Sequence, residues 1–401
     1  MNFFSVALEE RRRLRSRSAF QIAIADRFAQ LNAEHWRRVT RDGSFFHSAQ
    51  YQEGFERMRP QNIEPRYALI SEGDSPRAAV CMQIARMNLS HVGRPGRKRA
   101  LRRLGKALEE RVLVCGNLMA YGLHGVCIAP GVDRSAVWQA VAEVLYRVRR
   151  AEKLAGKTDV VLVKDLDAAA LAESGVLKKL SYGAVPTEPN MVLRVEAGWR
   201  SHDDYLDSML SKSRSDIKRL FRKFSDAGCT VEPLADVATH QDVLQALYLQ
   251  VHGNATFRPF TLPGSYWPAL AASGGDSVVI HVARQGERAI GFVLSLKDGE
   301  TAFAYHIGFD RTAAAAPQGI PVYLRLLHAS LAQAIAFGCR RVSFGRTALE
   351  PKARMGCVPE PAYVWARHRH PMFNQLVQPL LRLVEAEEAP AITPFRPGAA
   401  S

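Results

Sequence analysis

The chain has 401 residues, 54 lysines and arginines against 39 acids, and a formal net charge of +15. At roughly 150 residues per domain this length predicts two or three domains with a sizeable buried core. An apolar fraction of 47 % with 23 % charged residues excludes wholesale disorder, collagen-like repeats and small disulfide scaffolds, and no run approaches the roughly 18 apolar residues of a membrane-spanning helix.

The first elements come from periodicity. Residues 20–39 and 47–58 predict helices. Arg66 to Ser71 and Ala78 to Met87 predict a strand pair turning at Gly73-Asp74-Ser75-Pro76, and Val112 to Ala120 a further strand. Asp133 is placed to cap a helix with Val137, Val141, Val144, Leu145 and Val148 on one face. Val160 to Lys164 and Met191 to Val195 predict buried strands.

The second half repeats this order. Cys229 to Leu234 predicts a strand and 238–252 a helix. Ser277 to Ala283 and Ala289 to Leu296 flank the turn Gln285-Gly286-Glu287, Asp298-Gly299 marks the next hairpin, and Thr301 to Ile307 follows as a strand. Val322 to Phe337 predicts a helix ended by Gly338. Val342 to Gly345 and Ala362 to Arg367 are short strands, and the chain from Glu385 is expected to be loose. A Gly-x-Val-Pro turn precedes the closing strand of each half, as Gly183-Ala184-Val185-Pro186 and Gly356-Cys357-Val358-Pro359. Matched in order with the strand and helix before it, this tetrapeptide supports an internal duplication.

Charged residues before Arg17 and the lack of a long apolar stretch argue against a secretory signal, so a cytoplasmic location is expected, with the inner membrane face as a peripheral option. The six cysteines form no C-x-x-C pair and read as buried apolar groups in a reducing compartment. His368-Arg369-His370 lacks a helical partner and a second acidic ligand, so no metal is expected. The bases cluster at Arg11–Arg17, at Arg94–Lys106 and at Lys212–Lys223. In the third cluster Lys212, Arg219 and Lys223 share a helical face, with Leu210, Ile217, Leu220 and Phe224 on another. Such a stripe suits phosphate groups, and acidic substrates, phospholipid surfaces and RNA all stay open as partners. Glycine-x-serine-x-glycine elbows, Walker loops and Rossmann fingerprints are absent from the sequence.

Leu210-Ser211-Lys212-Ser213-Arg214 running into Lys218-Arg219, and Phe344-Gly345-Arg346 followed by Lys352 and Gly356, are similar to signatures of acetyltransferase-like proteins. With the element order above, the chain from about residue 45 to 370 resembles two GNAT acetyltransferase domains in tandem, as in the Fem-type peptidyltransferases and related tandem-GNAT proteins. The resemblance implies an α/β (α+β) fold: two GNAT-like domains, each a mixed, mostly antiparallel sheet flanked by helices. The implied division is a basic helical segment 1–44, a first domain 45–200 without catalysis, a basic connector 201–227, a catalytic domain 228–372, and a C-terminal helix and tail 373–401.

In GNAT enzymes the strand before the long helix parts from its neighbour, the acyl arm enters that gap, and the helix N-terminus faces an anionic carrier. The corresponding loop here is Ala316-Pro317-Gln318-Gly319-Ile320-Pro321, with Gln318, Gly319 and Ile320 as the cofactor contacts. It lacks the usual glycine spacing, and Pro321 removes one N–H donor. Fem-type relatives use aminoacyl-tRNA, so the implied carrier is acyl-CoA or another activated acyl carrier, with tRNA as the one nucleic-acid option. Asp133 at the first helix would repel a phosphate, which points to the second half as the site of chemistry.

Acyl transfer needs a proton acceptor, a proton donor and support for an oxyanion. Alternation predicts Phe303, Tyr305 and Ile307 on one strand face and Ala304, His306 and Gly308 on the other. His306 is the candidate base, or else a strand histidine hydrogen-bonded to the next strand, and Tyr305 is a candidate acid, with a core role for Tyr305 as the plainer reading. Glu350 is a second candidate base, or the partner of Arg354 four residues on. Lys352 is a candidate catalytic cation. Lys212, Arg214, Arg219, Arg346 and His252 are candidate substrate contacts, and Cys357 reads as a buried thiol. The expected activity is N- or O-acyl transfer to a small-molecule or lipid-linked acceptor. The alternative is a non-catalytic module docking on anionic membrane or RNA.

Overall fold

A computed structural model describes residues 17–88, 109–255, 258–315, 319–375 and 389–398. The Arg94–Lys106 cluster, Arg11 to Arg15, Gln318 and residues 376–388 of the expected C-terminal segment lie outside the described residues. The chain divides into two compact units, 1–187 with 361–385, and 188–360 with 386–401.

In the first unit the expected helix over 20–39 is corrected. Gln21–Ala25 is a strand, β1, paired antiparallel with β2 (Ile63–Glu72) from Gln21↔Ser71 to Ala25↔Tyr67. Phe20 and Ile22 alternate onto the core, and helix α1 (Ala33–Thr40) begins only where the Asn32 side chain accepts from His35 N–H. After α2 (Ala49–Met58) come β2, β3 (Ser75–Asn88) and β4 (Glu109–Cys115) as an antiparallel run, with β5 (Val126–Ile128) also on β3. β4 stops at Cys115 rather than at Ala120, because the chain turns at Gly116. Helix α3 (Arg134–Ala151) buries Val137, Trp138, Val141, Val144 and Leu145 against this sheet. β6 (Thr158–Leu166) lies parallel to β4, and the short helices α4 (Ala168–Glu173) and α5 (Val176–Lys179) follow.

The second unit repeats the plan. β7 (Gly183–Arg194) crosses into it at Glu188, and Gly183–Pro186 is extended strand rather than the expected turn. Helices α6 (His202–Ser208) and α7 (Ser211–Asp226) precede β8 (Cys229–Pro233), α8 (Gln241–His252) and α9 (Tyr266–Gly274). β9 (Val278–Gln285), β10 (Arg288–Asp298) and β11 (Thr301–Phe309) form the meander, α10 (Arg311–Ala314) and α11 (Val322–Ala336) follow, and β12 (Arg341–Ser343), α12 (Leu349–Arg354) and β13 (Val358–His368) close the half. Its strands run β7-β12-β11-β10-β9-β8, all antiparallel except β11 with β12. The first unit runs β1-β2-β3-β4-β6-β13 with the same single parallel pair. The closing strand of each half is therefore built into the other half's unit: β7 pairs with β12, and residues 361–368 of β13 pair with β6.

Two glycines set how closely helices approach the second sheet. A Cβ on Gly308 would lie 2.6 Å from Tyr248 N and 2.7 Å from Leu247 C, so α8 passes backbone-first over that strand. A Cβ on Gly291 would lie 2.7 Å from Val322 Cγ1 in the first turn of α11, on the opposite face. Gly308→Ala is expected to destabilise the protein by about 1–3 kcal/mol, more than Gly291→Ala, since a side chain can turn aside and a helix backbone cannot. Urea midpoints of the two variants check this, and an equal or smaller loss at Gly308 contradicts the packing described.

Candidate functional site

The site grows from a break in the sheet. β11 and β12 pair only from Thr301↔Arg341 to Phe303↔Ser343. β11 continues to Phe309, while the chain after Ser343 keeps only its β7 side, with Phe344 N–H on Met191 O at 2.9 Å and Met191 N–H on Gly345 O at 3.1 Å. The edge of β11 from Ala304 onward is thus left by its parallel neighbour. On its other side the register passes from Leu294↔His306 to Ser295↔Ala304, which makes Tyr305 the extra residue of a β-bulge.

The bulge corrects the expected alternation. Ala302, Ala304 and Ile307 pack in the cluster that contains Leu327 and Leu331 of α11. His306 and Gly308 lie on the α8–α9 side instead. Tyr305 is buried, with its ring centroid 4.1 Å from that of His306.

α11 starts beside this break. Its N-cap residue is Pro321, with no side chain accepting from the first turn. Val322 N–H bonds Ile320 O and Arg325 N–H bonds Pro321 O, and no described residue accepts from the amides of Tyr323 and Leu324 at the positive end of the helix. The expectation for the preceding loop is corrected here: Gly319 N–H is taken by Ala315 O and Ile320 N–H by Ala313 O, and the Ile320 side chain is buried. The amides without an acceptor among the described residues lie one turn later. Gly319 has φ +50, and its Cβ position is 3.2 Å from Lys223 Nζ, so α7 brings a cation to this loop. Arg325 lies over the Phe221 ring at 4.6 Å, and burial lowers its pKa. Beneath it, His202 Nε2 and His328 Nδ1 are 3.0 Å apart. His202 is lowered to about 4 and His328 well below the usual range, first by burial.

On the α8–α9 side an aromatic cluster gathers two of the candidate residues. His306 Nε2 lies 2.9 Å from Tyr266 Oη, and its ring meets Trp267 edge to face at 5.6 Å. Trp267 packs on Tyr248, and Tyr248 stacks on His252 at 5.0 Å. His252 Nε2 is 3.1 Å from Thr261 Oγ1. Burial pushes His306 down to about 3, so the imidazole is neutral near pH 7 but a weak base. This counts against the expectation of His306 as the base. Tyr248, Tyr266 and Trp267 were not singled out from the sequence, although Pro263-Gly264-Ser265 ahead of two aromatics marks a helix start.

Lys352 is 2 % exposed, and its Nζ donates to Gly345 O at 3.2 Å, where the chain leaves β12. Burial lowers it to about 8. Arg346 is half-buried in the same turn. Glu350 is exposed and paired with Arg354 at 2.8 Å, the helical pair that the spacing allowed. Cys357 is buried, and burial raises its thiol, which removes it as a nucleophile. On α7, Lys212 is exposed, Arg214 pairs with Asp207 at 3.2 Å and Arg219 with Asp216 at 2.8 Å.

The first unit differs at both corresponding places. Asp133 accepts from Ser135 and Ala136 N–H at 2.9 and 3.3 Å, as expected from the sequence. β4 and β6 stay paired to Cys115↔Val163, and the chain beyond is held by Lys164 Nζ on Asn117 O and Ala120 O, both at 2.8 Å. Among the described residues no group of three metal-ligating side chains converges and no helix is long and apolar enough to cross a membrane.

Residues 211–353 match the family described as Acetyltransferase (GNAT) domain. The fold is similar to that of FemX, with a TM-score of 0.54 at 11 % identity, covering 87 % of this chain and 98 % of that one. The C-terminal domain of a putative lysylphosphatidylglycerol synthetase from Agrobacterium fabrum aligns at a TM-score of 0.49 and 13 % identity over 92 % of this chain and 100 % of that one. A tandem GNAT protein from the clavulanic acid biosynthesis pathway aligns at 0.49 and 11 % over 88 % and 99 %. No curated protein sequence matches the chain. The second half thus carries a GNAT domain, and the chain has a tandem GNAT-like fold shared with FemX.

The buried Lys352 has a consequence for stability. Its folded pKa of about 8 lies below the ordinary 10.5, so between these values the unfolded chain holds a proton that the folded chain does not. Stability conferred relative to a neutral side chain therefore rises with pH through this window and is lowest below pH 8. Lys352→Met is expected to gain on the parent most below pH 8, with the advantage shrinking by up to roughly 3 kcal/mol toward pH 10.5. Urea unfolding of both proteins across this range measures it, and a difference independent of pH contradicts the burial of the amine.

Proposed function

We propose that the second unit transfers an acyl or aminoacyl group from an activated carrier, acyl-CoA in the simplest case, to an amine or hydroxyl acceptor by direct attack. The observation that carries this reading is the parting of β11 from β12 after Phe303↔Ser343, beside a helix whose first turn lacks a side-chain cap. The anionic part of the carrier would sit on the Tyr323 and Leu324 amides with Lys223 alongside. The acyl arm, rich in amides, would lie along the β11 edge from Ala304, where a strand-like partner can add to the sheet.

The acceptor attacks the acyl carbonyl carbon, a new C–N or C–O bond forms, and the bond to the carrier breaks with its electron pair. The acceptor's proton passes to the neutral form of Lys352, and the leaving group takes up a proton. An amine near 8 is matched to this task close to neutral pH, which ranks Lys352 above His306 and above the ion-paired Glu350. His306, held by Tyr266, would position Tyr305 at the bulge. Arg346, Lys212, Arg214, Arg219 and His252 would contact the acceptor or donor, and a lipid-linked acceptor suits the basic α7. Asp133 and the Lys164-pinned loop support the first unit as a copy without transfer.

The test is to convert one helix start into the other. Pro321→Asp would place a carboxylate on the Tyr323 and Leu324 amides, with a capping gain of about 1 kcal/mol. The variant is expected to keep or slightly raise its thermal midpoint while acyl-CoA affinity falls at least tenfold. Lys352→Ala is expected to lower kcat by about 10²-fold or more. Unchanged acyl-CoA affinity in Pro321→Asp removes the carrier site from α11, and full turnover by Lys352→Ala removes the proposed base.

A further inference from the structure

We propose that the turn joining α3 to β6 in the first unit is a docking site for anionic phospholipid, independent of the transfer chemistry. A cavity of about 500 Å³ opens there, lined by Arg149, Arg150, Lys153, Lys157 and Arg369 around Thr158. Arg369 is paired with Asp159 and Arg149 lies over the Tyr146 ring at 5.9 Å, but the side chains of Arg150, Lys153 and Lys157 make no ion pair with a described residue.

Cations at the end of α3 would complement the helix dipole, which explains two or three of them. That effect fades within the last turn, and Lys157 and Arg369 lie outside it. Thr158 gives a second, separate sign of a ligand. It is 3 % exposed and lines the cavity, yet its Oγ1 has no hydrogen-bond partner. Buried hydroxyls are rarely left so, and a phosphate oxygen entering among the cations would accept from it. The floor is already rigid, since Glu152 pairs with Arg66 at 2.7 Å and Arg111 at 2.9 Å, and Arg111 also donates to Gly156 O at 2.8 Å.

Exposed apolar residues close to these cations in the chain decide between a lipid and a free phosphate ester. Leu154, between Lys153 and Lys157, is 100 % exposed. Tyr146 is 48 % exposed, and Met372 and Phe373, just after Arg369, are 73 % and 55 % exposed. Basic side chains alternating with bare apolar ones match an anionic interface: the cations meet headgroup phosphates and the apolar groups enter the acyl boundary. A soluble phosphate ester would make no use of Leu154 or Phe373.

The full chain is sedimented with phosphatidylcholine vesicles, with or without phosphatidylglycerol. Binding is expected only with phosphatidylglycerol. Each basic residue at the surface contributes about fivefold, so Lys153→Glu with Lys157→Glu should weaken it at least tenfold. Leu154→Asp should weaken it by a factor that persists at high salt. Thr158→Val keeps every charge and is expected to weaken it a few-fold with an unchanged thermal midpoint. Equal binding to both vesicles, or parent-like binding by all these variants, overturns the proposal. Thr158-dependent binding of inorganic phosphate without vesicle binding overturns the lipid assignment, and so does tRNA binding that falls in the charge variants while vesicle binding does not.

Discussion

Everything proposed for the second unit depends on a short parallel ladder. Backbone N–H and C=O groups seek partners wherever they are buried, and β11 loses one row of partners after Phe303, where the chain beyond Ser343 stays bonded to β7 alone. Gly345, at φ +74, lets the chain turn away at that point. The bulge at Tyr305 then changes which residues face which helix, and it does so next to the opened edge. The sheet is held on both faces by close helix contacts at Gly291 and Gly308, so the opening is a fixed feature of the packed unit.

The first unit shows what the same plan becomes when those features are lost. Its parallel pair runs to Cys115↔Val163, its following loop is tied down by a lysine, and its long helix begins under an aspartate. A carboxylate on two first-turn amides satisfies them and places a negative charge where a phosphate would come. In the second unit a proline occupies that position and a lysine from α7 stands near it. The exchange of closing strands ties the two halves of the sequence together in a way that a simple end-to-end duplication would not.

Much of this was legible in the residues. The meander β9–β11 shows in two-residue periodicity between Gly-containing turns, Asp133 was correctly placed as a cap, and Val322 to Gly338 carries a helix and its stop signal. β1 was missed because five residues with two isoleucines pattern weakly, and their strand state comes from β2. The destination of β7 and β13 is set by long-range pairing that no local pattern encodes. The bulge hid the true neighbours of His306, since a two-residue period assumes an unbroken ladder. Burial also cannot be read from residue type: it is what makes His306 a weak base and gives Lys352 a pKa of about 8. Lys223 belonged to the recognised basic stripe, but only Gly319 shows which of its cations reaches the helix start.

The most direct measurement is amide hydrogen exchange on the intact chain with and without a saturating acyl-CoA. The account predicts slowed exchange in the first turn of α11, at Tyr323 and Leu324, and along β11 from Ala304 to Phe309, with no change in the first turn of α3. Protection confined to α3, or none at either helix start while the carrier is bound, contradicts it.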